Sequence, residues 1–357
     1  MNKTSLIDQA RAVRQGEELD ARAVTEWLRS TGVELIGEPQ VTQFSGGASN
    51  WTYRLKYDNR DLILRRPPMG TKAKSAHDMV REYKVQHAIK PVYPVVPAMV
   101  GLCIDHAVIG DDFYVMDRIE GIIPRRHLPR GLEMTEADVR RLCLNVLDKL
   151  VELHQVDYRA AGLQDLGKGA GYARRQVEGR SARYLKAKTW NVSDFSYVRN
   201  WLQERIPEDV KTCLIHNDWR FDNVVLAPDD PTRVIGVLDW EMATLGDPLM
   251  ELGSMLAYWV EAGDGFLMKS TQRQPTTLKG MLSRRQVVDY YRERSGLKAD
   301  NWIFYEVFGL FRLAVIAQQI YYRYHHKQTA NPAFKHYWVM VNYCAWRCRQ
   351  LIRQHGR

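Results

Sequence analysis

The segment that most constrains this chain is Leu214 to Glu241, LIHNDWRFDNVVLAPDDPTRVIGVLDWE. Three apolar runs in it meet a carboxylate or carboxamide, at Asp218, Asn223 and Asp239. Burying such groups at strand ends is costly unless each has a partner or a task. Asn223 opens the apolar VVL, and Asp239 closes VIGVL sixteen residues later. A hairpin through APDDPT would set the two side by side. An amide oxygen beside a carboxylate makes a pair of hard oxygen ligands suited to Mg²⁺. Asp218 lies on the loop that returns at Asn223, near the metal but not needed by it, where it can take a proton from a hydroxyl. This is the D-x-x-x-x-N … D arrangement of kinase-type phosphoryl transfer. The bland alternative is that all three cap strands and turns; their joint spacing, with His216 and Trp240 flanking, weighs against it.

The rest of the chain supplies a setting. Its 357 residues are enough for about two domains. Residues Asp20 to Ser30 read as a short amphipathic helix stopped near Gly32. Then the period changes, and VTQFSGGASNWTYRLKYDNRDLILRR reads as three strands joined by a glycine turn and an Asp-Asn turn. A helix is expected over Ala76 to Ile89, and two more strands around Gly110-Asp111-Asp112. After Gly121 helices dominate. Thr135 with Asp138 forms a capping box for a helix running to about His154. Asp247 and Pro248 provide an N-cap and an N1 proline for another, and Phe304 to Tyr322 is an apolar, aromatic helix. The fold class expected is α+β and bilobal, with a small antiparallel-sheet N-lobe and a larger, mainly helical C-lobe. The divisions are an N-terminal helical segment at 1–35, a nucleotide-binding N-lobe at 36–117, and a catalytic and acceptor-binding C-lobe at 118–357.

HNDWRFDNVVL … VIGVLDWEMATLGDPLMEL resembles the aminoglycoside phosphotransferase and choline kinase-like family, and most of all its acyl-CoA dehydrogenase-associated branch. The branch pattern is roughly H-G-D-x-R-x-D-N … V-L-D-W-E-x-A-x-x-G-D-P, and the likeness covers roughly Phe44 to Ala257. It implies a protein-kinase-like fold and ATP-dependent phosphorylation of a small molecule. Carried across, Asp218 is the catalytic base, His216 the structural histidine of the catalytic loop, and Asn223 and Asp239 the Mg²⁺ ligands. Asn217 stands where the family has Gly; Asn is the next residue most tolerant of positive φ.

The same resemblance assigns the nucleotide side. In FSGGASN, Gly46 and Gly47 let backbone approach phosphate oxygens, and Ser45 and Ser49 can donate hydrogen bonds. Alternation along DLILRR puts Arg65 at the family's strand-three lysine position, with Arg in place of Lys. Glu82, seventeen residues on, matches the helix glutamate that pairs with it. Met116 matches the back of the pocket, and the Asp117 carbonyl and Ile119 amide match the groups that face the adenine edge.

The acceptor is constrained by charge. The chain carries +9 overall, and Glu261 to Arg357 hold sixteen Lys and Arg against six Asp and Glu, a net of +10. In this family the later helices build much of the acceptor site. Polycationic aminoglycosides need acidic pockets, so the expected acceptor is neutral or anionic, such as a hydroxy acid or hydroxyacyl thioester. Arg174, Arg175, Arg312, Tyr321 and Arg323 are the candidate acceptor-side residues. The competing readings are a true aminoglycoside kinase, and a nucleotide-binding pseudokinase or scaffold prompted by Arg65 and Asn217. A nucleic-acid binder is disfavoured because no recognisable module accompanies the basic charge. The apolar run Val92 to Ile104 is broken by prolines and falls short of the ~18 residues of a membrane helix. Five scattered cysteines read as free buried thiols, and a cytoplasmic location is expected.

Overall fold

The computed structural model describes residues 6–44, 50–68 and 78–355. The N-lobe begins with α1 (Ala21–Ser30), capped by the Asp20 carboxylate, which accepts from the Ala23 N–H at 3.0 Å. Past its end Gly32 takes φ +88°, a conformation that costs glycine no Cβ clash. Strands β1 (Gln40–Gln43), β2 (Trp51–Lys56) and β3 (Asp61–Arg66) follow, then α2 (Met79–Ile89), β4 (Met99–Cys103), the single turn α3 (His106–Ile109) and β5 (Phe113–Asp117). The sheet is antiparallel in the order β1-β2-β3-β5-β4.

Period-two alternation sorts the side chains of this sheet between its faces. Leu62, Leu64, Phe113 and Val115 pack outward with Val24 and Leu28 of α1. Thus the N-terminal helix covers the outer face of the N-lobe sheet. Ile63, Tyr114 and Met116 pack on the other face with Met79 of α2. Arg65 shares the parity of Ile63, so it too faces inward, opposite Tyr114 in the β3–β5 register.

The C-lobe opens with α4 (Glu136–Gln155), where the Thr135–Asp138 capping box is present. Next come α5 (Tyr172–Ala187) and α6 (Ser196–Glu204), then four short strands, β6 (Cys213–Ile215), β7 (Val224–Leu226), β8 (Val234–Val237) and β9 (Thr244–Gly246). The sequence reading anticipates one strand pair here. There are two: β7 with β8, and β6 with β9, both antiparallel. Helices α7 (Pro248–Leu256), α8 (Phe266–Ser270), α9 (Arg284–Ser295), α10 (Trp302–His325) and α11 (Tyr337–His355) complete the lobe. Asp247 caps α7 through the N–H groups of Leu249 and Met250. α10 is its axis, packing against α5, α6, α7 and α11. It meets α7 backbone to backbone: a Cβ on Gly309 would lie 2.0 Å from the Gly253 carbonyl oxygen. By length and composition α10 could cross a membrane, yet 72% of its apolar window is buried inside the protein, as in a core helix. All five cysteines are free and buried.

Candidate active site

Strand β6 delivers the chain to His216, and the loop that follows is held from several sides. Asn217 has φ 67°, the conformation that its position demanded. His216 is fully buried, its Nε2 donates to the Leu238 carbonyl at 2.9 Å, and its Nδ1 accepts from the Asp218 N–H at 3.3 Å. Its ring sits edge-on between Trp219 and Trp240. A second clamp is Glu251 of α7. It accepts from the backbone N–H groups of His216, at 3.2 Å, and Asn217, and its Oε2 meets His154 Nε2 at 2.7 Å. His154 in turn reaches Tyr291 at 2.6 Å.

Asn223 closes the loop. Its amide nitrogen donates to the Asp218 carbonyl at 2.9 Å and the Asp218 carboxylate at 3.1 Å. With both hydrogens committed, its oxygen is left as an acceptor. The β7–β8 hairpin returns so that the Leu238 N–H bonds the Asn223 carbonyl at 2.8 Å, and Asp239 follows at once. Asp239 takes φ 67° and ψ 60°, a strained conformation of the kind that clusters at functional sites. Arg220 spans the far side, 3.2 Å from both Asp218 and Asp222, with its guanidinium over the Tyr258 ring. Burial works against its charge, yet these two carboxylates carry its pKa upward. Burial also raises Asp222.

From the other lobe, Arg65 reaches in. Nη1 lies 2.9 Å from Glu82 and Nη2 lies 3.1 Å from Asp239, with the Glu82 side chain 1% exposed. Burial raises the Glu82 pKa, and Arg65 opposes that rise. Arg66 turns the other way, over the Trp51 ring. α2 is fixed to the C-lobe by Arg81, which donates to the Ala243 carbonyl at 2.7 Å. Asn50 likewise meets Glu241 at 3.2 Å.

Between the lobes lies an open cleft. Phe44, Ile63, Met116, Ile123 and Leu238 give it apolar walls, and Arg65, Gln86, Asn223 and Asp239 give it a polar end. Asp117 and Ile119 form its edge at the lobe junction. There the Arg118 N–H bonds back to Asp61 at 3.0 Å and the Asp117 N–H to Ala98 at 2.8 Å. The alternation directs the Asp117 carbonyl away from β3. Ser45, Gly46, Gly47 and Ser49 lie outside the described residues.

The structure thus lines one cleft with Arg65, Met116, Asp117, Ile119, Asn223 and Asp239, sets buried Glu82 behind Arg65, and places Asp218 and buried His216 on the loop that Asn223 closes. The acceptor-side candidates are scattered. Buried Arg312 donates to the Asn217 carbonyl at 2.8 Å, directly on the loop. Tyr321 lies roughly 13 Å further along α10 at ~1.5 Å per residue, and its hydroxyl accepts from Asn191 at 3.0 Å. Arg323, in the last turn of α10, is exposed. Arg174 pairs with Glu178 at 3.7 Å on the surface, and Arg175 donates to the carbonyls before its own helix. Counting basic residues cannot say which helix face carries them. Sequence reasoning missed Glu251, His154, Arg220, Asp222 and the apolar cleft walls; Glu251 alone left a trace, four residues after the Asp247 cap.

Two lobes, a cleft between them, and Asp218, Asn223 and Asp239 gathered on the loops at its C-lobe side are the architecture of a phosphotransferase of protein-kinase-like fold. A family model described as the phosphotransferase enzyme family (APH) matches residues 40–286, and the chain belongs to that family. Its relatives include acyl-CoA dehydrogenase family member 10 of Mus musculus, 32% identical over 320 residues, covering 89% of this chain and 30% of that protein. Family member 11 of Homo sapiens is 31% identical over 306 residues, covering 84% of this chain and 38% of that one. The chain therefore spans about a third of the length of these relatives. Among solved structures, one described as a putative aminoglycoside phosphotransferase from Ralstonia eutropha is similar at 27% identity and TM-score 0.80, over 94% of this chain and 99% of that one. The GDP complex of aminoglycoside 2'-phosphotransferase-IIIa shares the fold at TM-score 0.60 and 14% identity, over 92% and 99% of the two chains.

Proposed function

We propose that the chain is an ATP-dependent kinase that moves the γ-phosphoryl group to the hydroxyl of a small neutral or anionic alcohol, a hydroxy acid or hydroxyacyl thioester. The observation that carries this reading is the double ion pair of Arg65 with Glu82 and Asp239, 2.9 and 3.1 Å long, in the cleft that Asn223 also lines. A scaffold has no need of a buried cation held at the junction of both lobes.

The nucleotide lies in the cleft, held mainly by residues 36–117. Its adenine takes the apolar walls of Ile63, Met116 and Leu238, with its edge on the Asp117 carbonyl and Ile119 amide. The family resemblance alone gives Ser45, Gly46, Gly47 and Ser49, which lie outside the described residues, a role at the phosphates. Arg65 presents a fixed cation to them.

The metal fits the donor set. The Asn223 oxygen is left over after Asp218 takes the amide hydrogens, and the Asp239 carboxylate stands beside it. Mg²⁺ prefers one or two protein ligands completed by phosphates and water. Bound there, Mg²⁺ supplies positive charge against the phosphates. Among the described residues no cluster of three His, Cys, Asp or Glu competes as a metal site.

Residues 118–357 hold the acceptor. Its hydroxyl oxygen forms the new bond to the γ-phosphorus as the bond from that phosphorus to the β–γ bridging oxygen breaks, and ADP leaves. Asp218 accepts the hydroxyl proton. Arg220 and Asn223 hold its carboxylate for that task, His216 holds its backbone N–H, and Glu251 holds the two residues before it.

An anionic acceptor is supported by the +10 charge of Glu261 to Arg357 and by Arg312 against the catalytic loop. The names of the acyl-CoA dehydrogenase relatives support an acyl-type alcohol. ADP release tested across hydroxy acids, hydroxyacyl-CoAs, choline, sugars and aminoglycosides examines the reading. ATP consumption stimulated by none of them would overturn it.

A further inference from the structure

Ahead of α1, residues 6–13 cross from one lobe to the other. Leu6 packs on the large core that the C-lobe helices build, and Val13 on the outer core of the N-lobe. Backbone bonds hold the segment at both ends. The Asp8 N–H donates to the Gly121 carbonyl at 3.2 Å, just past the lobe junction, and Arg118 Nη2 donates to the Asp8 carbonyl at 3.1 Å. Arg11 and Gln43 exchange two bonds of 2.8 Å at the end of β1. The lobes are therefore joined twice, through Asp117 to Gly121 and through this strap.

The strap brings a carboxylate to the cleft. Half-buried Asp8 lines it together with Gly121, Ile123 and Arg125. Arg125 Nη2 reaches both Asp8 carboxylate oxygens, at 3.1 and 3.2 Å. A carboxylate has about four acceptor positions, and one shared nitrogen does not fill them. The other carboxylates that line the cleft are engaged away from Gly121. Asp117 pairs with Arg60 at 2.8 Å, Asp239 with Arg65 at 3.1 Å, and Asp222, next to Asn223, with Arg220 at 3.2 Å.

A nucleotide with its adenine edge on Asp117 and Ile119 and its phosphates at Arg65 places its sugar between them, beside the residues that follow the junction. Of these, Gly121 and Ile123 offer no polar side chain. We infer that Asp8 accepts hydrogen bonds from the ribose hydroxyls, so that the strap makes the cleft select ribonucleotides. An acidic side chain on a ribose hydroxyl is the pairing that dinucleotide-binding folds use. A site built to hydrogen-bond a hydroxyl rejects the analogue that lacks it. The inference rests on the kinase reading of the cleft. Asp8 itself precedes residues 40–286, the span that the family model matches, so the contact belongs to the strap and not to the shared core.

Calorimetric titration of the full chain with ATP and with 2′,3′-dideoxyATP, each with Mg²⁺, tests it. Wild type should bind ATP about tenfold more tightly than the dideoxy nucleotide, the lower range for hydrogen bonds to a charged group. Asp8→Ala should bind the two alike, with its ATP affinity fallen to the wild-type value for 2′,3′-dideoxyATP. Asp8→Asn keeps an acceptor oxygen and should keep part of the preference. Arg125→Ala breaks the same ion pair and leaves the carboxylate, so it should keep the preference. Equal binding of the two nucleotides by wild type, or a preference that survives Asp8→Ala, overturns the inference. So does a preference lost equally in Arg125→Ala, which would make Asp8 an anchor of the strap only. A chain that binds ATP without regard to its sugar loses the strap assignment and keeps the nucleotide site. A chain that binds neither nucleotide loses both.

Discussion

Asn223 commits its amide nitrogen to Asp218, at 2.9 Å to the carbonyl and 3.1 Å to the carboxylate. One contact divides the labour of the site. It fixes the carboxylate proposed as base, and it leaves the Asn223 oxygen for a metal beside Asp239. The consequences can be tested residue by residue.

Arg65→Ala should remove a positioned cation from both the phosphates and Asp239. The loss is expected to be about 2–3 kcal/mol of transition-state stabilisation in kcat/KM for ATP. Arg65→Lys should retain much of the activity, and Arg66→Ala, on the Trp51 side of the strand, should cost little. Steady-state kinetics of the three variants decides. A crippled Arg66→Ala beside a silent Arg65→Ala would assign the wrong arginine.

Asp239 and Asn223 should bind Mg²⁺ only together with nucleotide. Calorimetry should show ATP affinity in wild type that depends on Mg²⁺, and in Asp239→Ala that dependence should vanish. ATP affinity indifferent to Mg²⁺ in both proteins contradicts the assignment.

Glu251 is a positioning residue, and Glu251→Gln tests it. One carboxylate oxygen becomes an NH₂ group facing the His216 and Asn217 N–H donors or His154, and an unmade buried hydrogen bond costs about 1–3 kcal/mol. Stability should fall by that order and kcat should fall with it, while KM for ATP stays near wild type because Glu251 does not line the cleft. An unchanged kcat in a protein that melts early would restrict Glu251 to stability alone.

Asp247 gives a pH signature. Burial raises its pKa to about 6, against three backbone N–H groups, of Met250, Val210 and Leu249, that favour its charge. A raised folded-state pKa contributes stability that is full below the unfolded value and is lost as pH rises through about 6. Asn caps a helix as well as Asp does. Relative to wild type, Asp247→Asn should therefore gain stability between pH 4 and pH 7, by roughly 2–3 kcal/mol at ~1.4 kcal/mol per unit. Urea unfolding across that window measures the difference, and a flat difference would refute it.

Much of the cleft was legible in the sequence because it depends on local spacing. Period two along Leu62 to Arg65 put Arg65 inward. Seventeen residues carried Glu82 to the facing helix, and the hairpin after Asn223 returned Asp239 to its side. The αL conformation at Asn217 followed from its place in the loop. What was not legible lies in long-range packing. Glu251 clamps the loop from 35 residues away. β9 is three residues long, too short for a period, so the second strand pair was missed. The acceptor-side candidates were chosen by charge, and charge does not report helix face.

The central claim is that Asp218 accepts the proton of an acceptor hydroxyl during phosphoryl transfer. Asp218→Asn keeps the size of the side chain and removes its basicity. The decisive measurement is turnover of Asp218→Asn with the acceptor that wild type phosphorylates, alongside its nucleotide affinity. The account predicts ATP binding and stability near wild type, with turnover lower by about 10²–10⁴-fold, the usual worth of a positioned general base. Turnover within a few-fold of wild type, while Asp239→Ala is inactive, would contradict it and reduce Asp218 to a capping residue.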